Sequence, residues 1–432
     1  MKKFSTILLA IILVIAVFLR VYGIGTNYYF SGELGKELLY MWKYVNANTL
    51  PLTGMATSHE WLSYGPFYYW LMIPVYKIFS GNPFILFWSA LSVSFIGLAL
   101  NWTVVKKIAE QKVAVISTLI ATFSPLLIWQ TRNSKLHVFF FILSPLLMYG
   151  LSKIWDGKIK WLFWTGLIFG LMFSFHFSQI PLIIVFIALF YIKKNLYKLK
   201  DWLLFGLGVL IPNISLIWQD KSLALWVPYR VINFVDKNPA STFQSLIEYF
   251  GRNMFWNSSI WIFGLVLSVL AFGLYVLQNR KKLTREFLPF YLVSTIAITV
   301  VANILHGAPP VHYFLPIFTT LPILFAVILE NYKYWYLLVG AIFLVNLAGY
   351  FSFEKPDDYM PLYKQEAVTD FIIADSGGNP LSVKRIGPYD HFPENYAQNY
   401  MYLILWKGGN LVDSSSHVYT ITELGENINV QK

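Results

Sequence analysis

Phe4-Ser5-Thr6-Ile7-Leu8-Leu9-Ala10-Ile11-Ile12-Leu13-Val14-Ile15-Ala16-Val17-Phe18-Leu19 carries no charge, and Ser31-Gly32-Glu33-Leu34-Gly35-Lys36-Glu37 follows with two carboxylates and an ammonium in five positions. The first run, extended to roughly 4–24, has the ~20-residue length at which a helix crosses a bilayer. Similar stretches recur at roughly 84–105, 113–131, 137–152, 161–176, 177–192, 202–218, 259–278, 287–305, 313–329 and 335–353. In hydrocarbon each backbone N–H and C=O must find a partner within the protein, so these runs are expected to be helices. The two-residue alternation of an outer-membrane barrel is missing. The expected fold class is an all-α polytopic membrane protein of about eleven spans.

Composition agrees. Of 432 residues, 57% are hydrophobic and 13% charged, about half the charge of a soluble globule. The net charge of +11 falls in loops rather than on one soluble basic face, which speaks against a nucleic-acid partner. Cysteine is absent, so disulfides, thiol catalysis and cysteine-held metals are excluded. Met1-Lys2-Lys3 before an apolar run has the form of a signal peptide. No small-residue cleavage site follows, so the run is expected to be a retained span.

Lysines and arginines order the spans. Basic clusters at Lys106/Lys107/Lys112, Lys153/Lys158/Lys160, Lys193/Lys194/Lys198/Lys200, Arg280/Lys281/Lys282/Arg285 and Lys333 share one side with Lys2 and Lys3 if the N-terminus is cytoplasmic. The expected location is the plasma (inner) membrane. The opposite, extracytoplasmic face then receives a first outer loop at 25–83, the turn 131–135, the loop 219–258, the turn 306–312 and the tail. Segment 66–79 is too short to span and reads as an aromatic helix in the outer interface. Two units follow: a transmembrane domain at 1–353, and an extracytoplasmic α/β cap at 354–432. In the cap, a helix over Tyr363 to Asp375 and short strands at Leu381–Ile386, Tyr400–Trp406 and Val418–Thr422 are expected.

Chemistry is concentrated on that outer face. Glu33 can accept a proton from a hydroxyl nucleophile, and Glu37 is a second acid, or a residue that favours the start of a helix Leu38–Val45. His59, His137, His176, His306 and His312 all map to outer loops or outer span ends, which suggests an outward-facing polar cavity. Arg132 and Lys135 lie where the positive-inside rule disfavours them; an anionic ligand would explain both, and Arg230 is a further phosphate candidate. Interfacial snorkelling is the plain alternative for each arginine. No metal signature such as H-E-x-x-H is present, so a divalent metal is unsupported. Acidic and basic residues are missing from mid-span positions, which argues against ion-coupled transport.

The order of motifs resembles the polytopic glycosyltransferases of the GT-C superfamily, in the protein-mannosyltransferase-like and lipid-A-arabinosyltransferase-like branch. The residues that carry the likeness are Gly32-Glu33-Leu34-Gly35-Lys36-Glu37, Gly54-Met55-Ala56-Thr57-Ser58, Gly65-Pro66-Phe67-Tyr68-Tyr69-Trp70, Phe123-Ser124-Pro125-Leu126-Leu127 running to Thr131-Arg132-Asn133, Phe175-His176, and His312-Tyr313-Phe314-Leu315-Pro316. The family pattern in the first loop reads Gly-Asp-x-Gly-Arg-Asp, so both acids here are one methylene longer and Lys36 replaces arginine.

That resemblance implies a polyprenyl-phosphate-linked sugar donor, a glycan, lipid or protein acceptor, and inversion at the anomeric carbon with Glu33 as base. It places Lys36, Arg132, Arg230, His312 and Tyr313 near the leaving phosphate, and His59, Tyr64, Tyr68 and His176 around the acceptor. Two other readings stay open: a flippase-like lipid or glycan transporter, and an inactive GT-C-like assembly partner.

Overall fold

The computed structural model describes the chain except residues 1, 57–62, 220–238, 308–311, 315–318, 352–359, 388–396 and 426. It opens with α1 (Lys2–Val21), α2 (Ile24–Asn27), α3 (Gly32–Asn46) and α4 (Phe67–Ile78). Among the described residues, six helical segments are long and apolar enough to cross a membrane: Ala10–Asn27, Phe84–Ile108, Leu136–Trp155, Leu199–Gln219, Ser258–Asn279 and Phe287–His306. The pair Gln111–Phe123 and Pro125–Asn133 is a seventh if its 55° bend is crossed as one span. Four shorter apolar helices, Lys160–Phe175, Phe177–Ile192, Thr320–Leu329 and Trp335–Phe351, occupy the remaining apolar stretches. Large side chains such as Ile187, Leu203, Phe263, Leu270 and Leu337 stand exposed along these helices. Apolar faces of this extent suit lipid rather than water, and the chain is a membrane protein.

The bend has a local cause. Pro125 has no N–H to continue the preceding helix. Ser124 leaves helical geometry at ψ 116, and its hydroxyl accepts from the Leu127 N–H at 3.5 Å, starting the second helix afresh. This redirects the chain toward Arg132 and Lys135.

Residues 66–79 form the expected short helix, α4, of 12 residues. Tyr68, Tyr69, Met72, Ile73 and Tyr76 are buried, so one face is seated in the helical body. The expected helix Leu38–Val45 starts earlier, at Gly32, because the Ser31 hydroxyl accepts from the Leu34 N–H at 3.4 Å and caps the first turn. Glu33 is therefore a helical residue, not a loop residue.

The C-terminal segment contains helix Leu362–Ser376, β1 (Leu381–Ile386), helix Gln398–Trp406, β2 (His417–Leu424) and β3 (Asn427–Gln431). β1 runs parallel to β2 with Leu381 opposite His417, and β2 runs antiparallel to β3 with Thr420 opposite Gln431. The strand expected at Tyr400–Trp406 is helical. A short apolar run rich in aromatic residues fits either element by pattern, and here packing on α3 decides. Tyr402 donates to the Gly81 carbonyl and lies 3.0 Å from the Tyr76 hydroxyl, while the Trp406 indole donates to the Ser80 carbonyl at 3.0 Å. Gln365 donates to the carbonyls of Phe30 and Met360, both at 2.8 Å, and accepts from Asn399 at 2.8 Å. The two C-terminal helices are thus joined by buried polar contacts to the segment that carries Glu33.

Gly35 makes that contact possible. A Cβ at this position would stand 2.4 Å from both Cα and N of Asn399, and backbone cannot yield as a flexible side chain does. Gly35→Ala is expected to cost about 1–3 kcal/mol through overpacking, read as a lower unfolding temperature of the purified protein in detergent. An unchanged temperature would show that the helices can part without loss.

Candidate functional site

Glu33 and Glu37 lie one turn apart on α3, so they share a face. Their surroundings differ sharply. Glu33 is largely exposed and forms an ion pair with Lys135, which follows helix Pro125–Asn133 and its left-handed cap residue Ser134 (φ 58). The Lys135 ammonium, seconded by Lys36 and opposed by partial desolvation, holds the Glu33 carboxyl below the usual range. Glu37 is 3% exposed. Burial pushes its carboxyl up to about 8, against the partial relief of a 2.8 Å hydrogen bond donated by the Tyr68 hydroxyl. At neutral pH one acid is therefore charged and its neighbour neutral. Environments that drive two carboxylates apart in this way commonly divide base and acid roles.

Glu37 gives a stability prediction. Its folded pKa, about 8, lies above the ordinary 4.5, so the folded chain keeps a proton that the unfolded chain releases. The native state then loses stability as pH rises from about 4.5 to 8. Glu37→Gln retains a partner for Tyr68 and removes the titration. The variant is expected to unfold several degrees higher than the parent at pH 8, with the gap closing toward pH 5. A gap independent of pH would count against the protonated acid.

Three histidines from distant parts of the chain gather beside this pair. His137 lies in the short helix Leu136–Phe139, His176 caps the end of Lys160–Phe175, and His312 follows Phe287–His306. Their ring centroids are 4.2 Å apart for His137 and His312, 5.0 Å for His137 and His176, and 5.0 Å for His176 and His312. Tyr313 stacks edge-on against His176 at 5.1 Å. Burial, with the Lys135 charge adding to it, lowers the His312 imidazole to about 3. Lys135 thus acts on Glu33, Glu37, His137 and His312 alike, which makes it the electrostatic centre of the group.

Tyr64 joins from the first outer loop, 5.6 Å from the His176 ring. Gly65 fixes this approach: its N–H donates to the Ser174 carbonyl at 2.8 Å, and a Cβ there would collide with the Ser174 side chain at 1.9 Å. The Glu33 and Glu37 charges also reach Tyr64. Glu33, Glu37, Lys36, Tyr64, Tyr68, His176, His312 and Tyr313, chosen from sequence, therefore share one neighbourhood.

Arg132 does not turn toward that group. Its Nη1 donates to the carbonyls of Arg20 (3.3 Å) and Tyr22 (2.9 Å) and to the Tyr350 hydroxyl (3.1 Å), tying the end of α1 to helix Trp335–Phe351. Sequence reasoning also passed over Arg20 itself, which is fully buried and donates to the Ser94 hydroxyl at 2.9 Å and the Thr122 carbonyl at 3.3 Å. His59 and Arg230 lie outside the described residues. Sequence marked Lys135 as a misplaced outer cation and His137 as one of several outer histidines. The partnership of Lys135 with Glu33, and of His137 with His176 and His312, depends on contacts that no spacing encodes. An open, largely apolar recess of about 410 Å³ lies on other residues, among them Ile24, Phe79, Phe84 and Trp88.

Residues 63–218 match the family described as dolichyl-phosphate-mannose-protein mannosyltransferase. No curated protein sequence matches the chain. Among solved structures, ArnT from Cupriavidus metallidurans bound to undecaprenyl phosphate aligns with TM-score 0.57 at 10% identity, covering 94% of this chain and 69% of that one. The Archaeoglobus fulgidus oligosaccharyltransferase in its apo form aligns with TM-score 0.54 at 11% identity, covering 93% of this chain and 60% of that one. At such identities the likeness is one of fold, and the chain spans less than two thirds of the oligosaccharyltransferase. Residues 63–218 thus carry the sequence pattern of that family, and nearly the whole chain is similar in fold to ArnT and to the archaeal oligosaccharyltransferase.

Proposed function

We propose that the protein transfers a sugar from a polyprenyl-phosphate carrier to an acceptor hydroxyl at the outer face of the plasma membrane, with inversion, and that Glu33 is the base. The observation that carries this reading is the pairing of Glu33 with Lys135 beside the neutral acid Glu37. It supplies an ionised carboxylate and a cation for a phosphate in one place. The undecaprenyl phosphate bound to ArnT supports the donor class. The proposed topology has eleven spans with the N-terminus in the cytoplasm, which sets Glu33 and Lys135 on the outer side, where a carrier confined to the bilayer presents its headgroup.

The step balances as follows. The acceptor hydroxyl gives its proton to Glu33, its oxygen forms a bond to the anomeric carbon, and the bond from that carbon to the phosphate oxygen breaks with its electron pair. The phosphate leaves with one more negative charge, which Lys135, Lys36, His312 and Tyr313 are disposed to stabilise. Lys135 has two calls on it. While it holds Glu33 the carboxylate is a weak base; when a phosphate draws the ammonium away, Glu33 becomes more basic at the moment it is needed. Arg230 remains a proposed contributor to the phosphate side and His59 to the acceptor side, whereas Arg132 is engaged at the end of α1.

The test is transfer by the purified protein in liposomes, with polyprenyl-phosphate hexoses and pentoses as donors and products resolved by mass spectrometry and anomeric NMR. Glycosylated acceptor of inverted configuration is expected. Absence of transfer with every donor would overturn the reading and favour an assembly partner.

A further inference from the structure

We propose that His137, His176 and His312 form a binding site for a divalent transition-metal ion of the zinc type. One imidazole nitrogen of each lies within 4.8 Å of one nitrogen of the other two. In a tetrahedral site with metal–nitrogen bonds near 2.0–2.1 Å, such nitrogens stand roughly 3.4 Å apart. The set is therefore open by about 1.4 Å at most, a distance that side-chain rotation can close.

Four observations support a metal over a packed cluster of rings. His137 is 7% exposed, and its Nε2 has no hydrogen-bond partner among the described residues. A buried polar atom without a partner costs free energy that a ligand would recover. The donor set is all imidazole, which suits zinc, copper, iron and nickel rather than magnesium or calcium. Three protein ligands leave a fourth position for water or a substrate oxygen, the pattern of catalytic rather than structural zinc. Finally, the lysine whose charge acts on His137 and His312, Lys135, is already paired with Glu33.

His137 and His312 stack with 15° between their planes, so one ring must turn for both lone pairs to converge. His312, the half-buried member, has the room to do so. The Nδ1 of His176 lies 2.9 Å from the Ser178 hydroxyl and accepts from the Ser178 N–H at 3.1 Å. With Nδ1 accepting, the ring proton sits on Nε2; on loading it moves to Nδ1 and donates to the hydroxyl, which gives up the bond from the Ser178 N–H and frees Nε2 for the metal. A partner of this kind orients a ligating histidine and fixes its tautomer.

His312 serves both this site and the proposed transfer step, but the test reads metal binding alone, so failure here and failure of transfer are distinguishable. The full-length protein in detergent, stripped with chelator, is titrated with Zn²⁺ against a chromophoric chelator and with Co²⁺ by visible absorption. One equivalent of zinc per chain and the intense d–d bands of tetrahedral cobalt are expected. His312→Asn should weaken binding at least 100-fold and abolish those bands, as should His137→Asn, whereas His306→Asn should change neither. His137 is buried and its variant can unfold, so the His312 variant, checked by its unfolding temperature, decides. Octahedral cobalt spectra, no stoichiometric zinc, or equal binding by the folded His312 variant would each overturn the site.

Discussion

Glu33→Gln is expected to lower kcat/KM for sugar transfer by about 10²–10⁴, the usual contribution of a positioned general base. Glutamine keeps the size and much of the helix cap region but cannot take the acceptor proton, so the loss should appear mainly in kcat. Glu33 is exposed at the first turn of α3, and its ion-pair partner there is Lys135. The variant should therefore fold, and its unfolding temperature should stay within a degree or two of the parent. Transfer at the parental rate would remove Glu33 from the mechanism while leaving the fold assignment untouched.

Lys135→Gln should produce a second large effect by a different route. Removal of the ammonium takes the counter-charge from the leaving phosphate, and loss of one such group commonly costs about 10²–10³ in rate. It also releases Glu33, whose depressed carboxyl owes most to this lysine. The acid limb of the kcat/KM profile, which reports the free enzyme's essential base, should then move to higher pH. In the parent it lies below the ordinary carboxylate value of 4.5. Lys135→Arg keeps the charge and should restore much of the rate and hold the limb in place. A rate loss with an unmoved limb would mean that Lys135 serves the phosphate but is not what tunes Glu33.

These effects centre on a residue whose partner could not be read from sequence. Glu33 was legible because acids are scarce in so apolar a chain and because a glycine-spaced motif surrounds it. Gly35 and Gly65 in the motifs acquire physical reasons in the structure: one lets a C-terminal helix touch α3, the other holds Tyr64 against His176. Arg132 matched the same logic as Lys135, an outer cation against the positive-inside trend, yet its guanidinium is spent on the backbone at the end of α1. Sequence position alone gives two basic residues three apart the same prior; the 55° bend at Pro125 and the cap at Ser134 send them different ways.

The C-terminal helix Gln398–Trp406 makes the same point. Its run of tyrosine, leucine and isoleucine satisfies a buried strand or a buried helix equally, and the contacts of Tyr402 and Trp406 with the first outer segment, together with that of Asn399 with Gln365, select the helix.

Membrane residence, the positions of the apolar helices, the short aromatic helix and the candidacy of Glu33 were set by the chain's own letters, because hydrocarbon length and the scarcity of charge are local properties. The neutral state of Glu37, the Lys135 partnership and the gathering of His137, His176 and His312 arose only in three dimensions. Each depends on burial or on charges brought together across tens to hundreds of residues, and neither desolvation nor distance is written in sequence spacing.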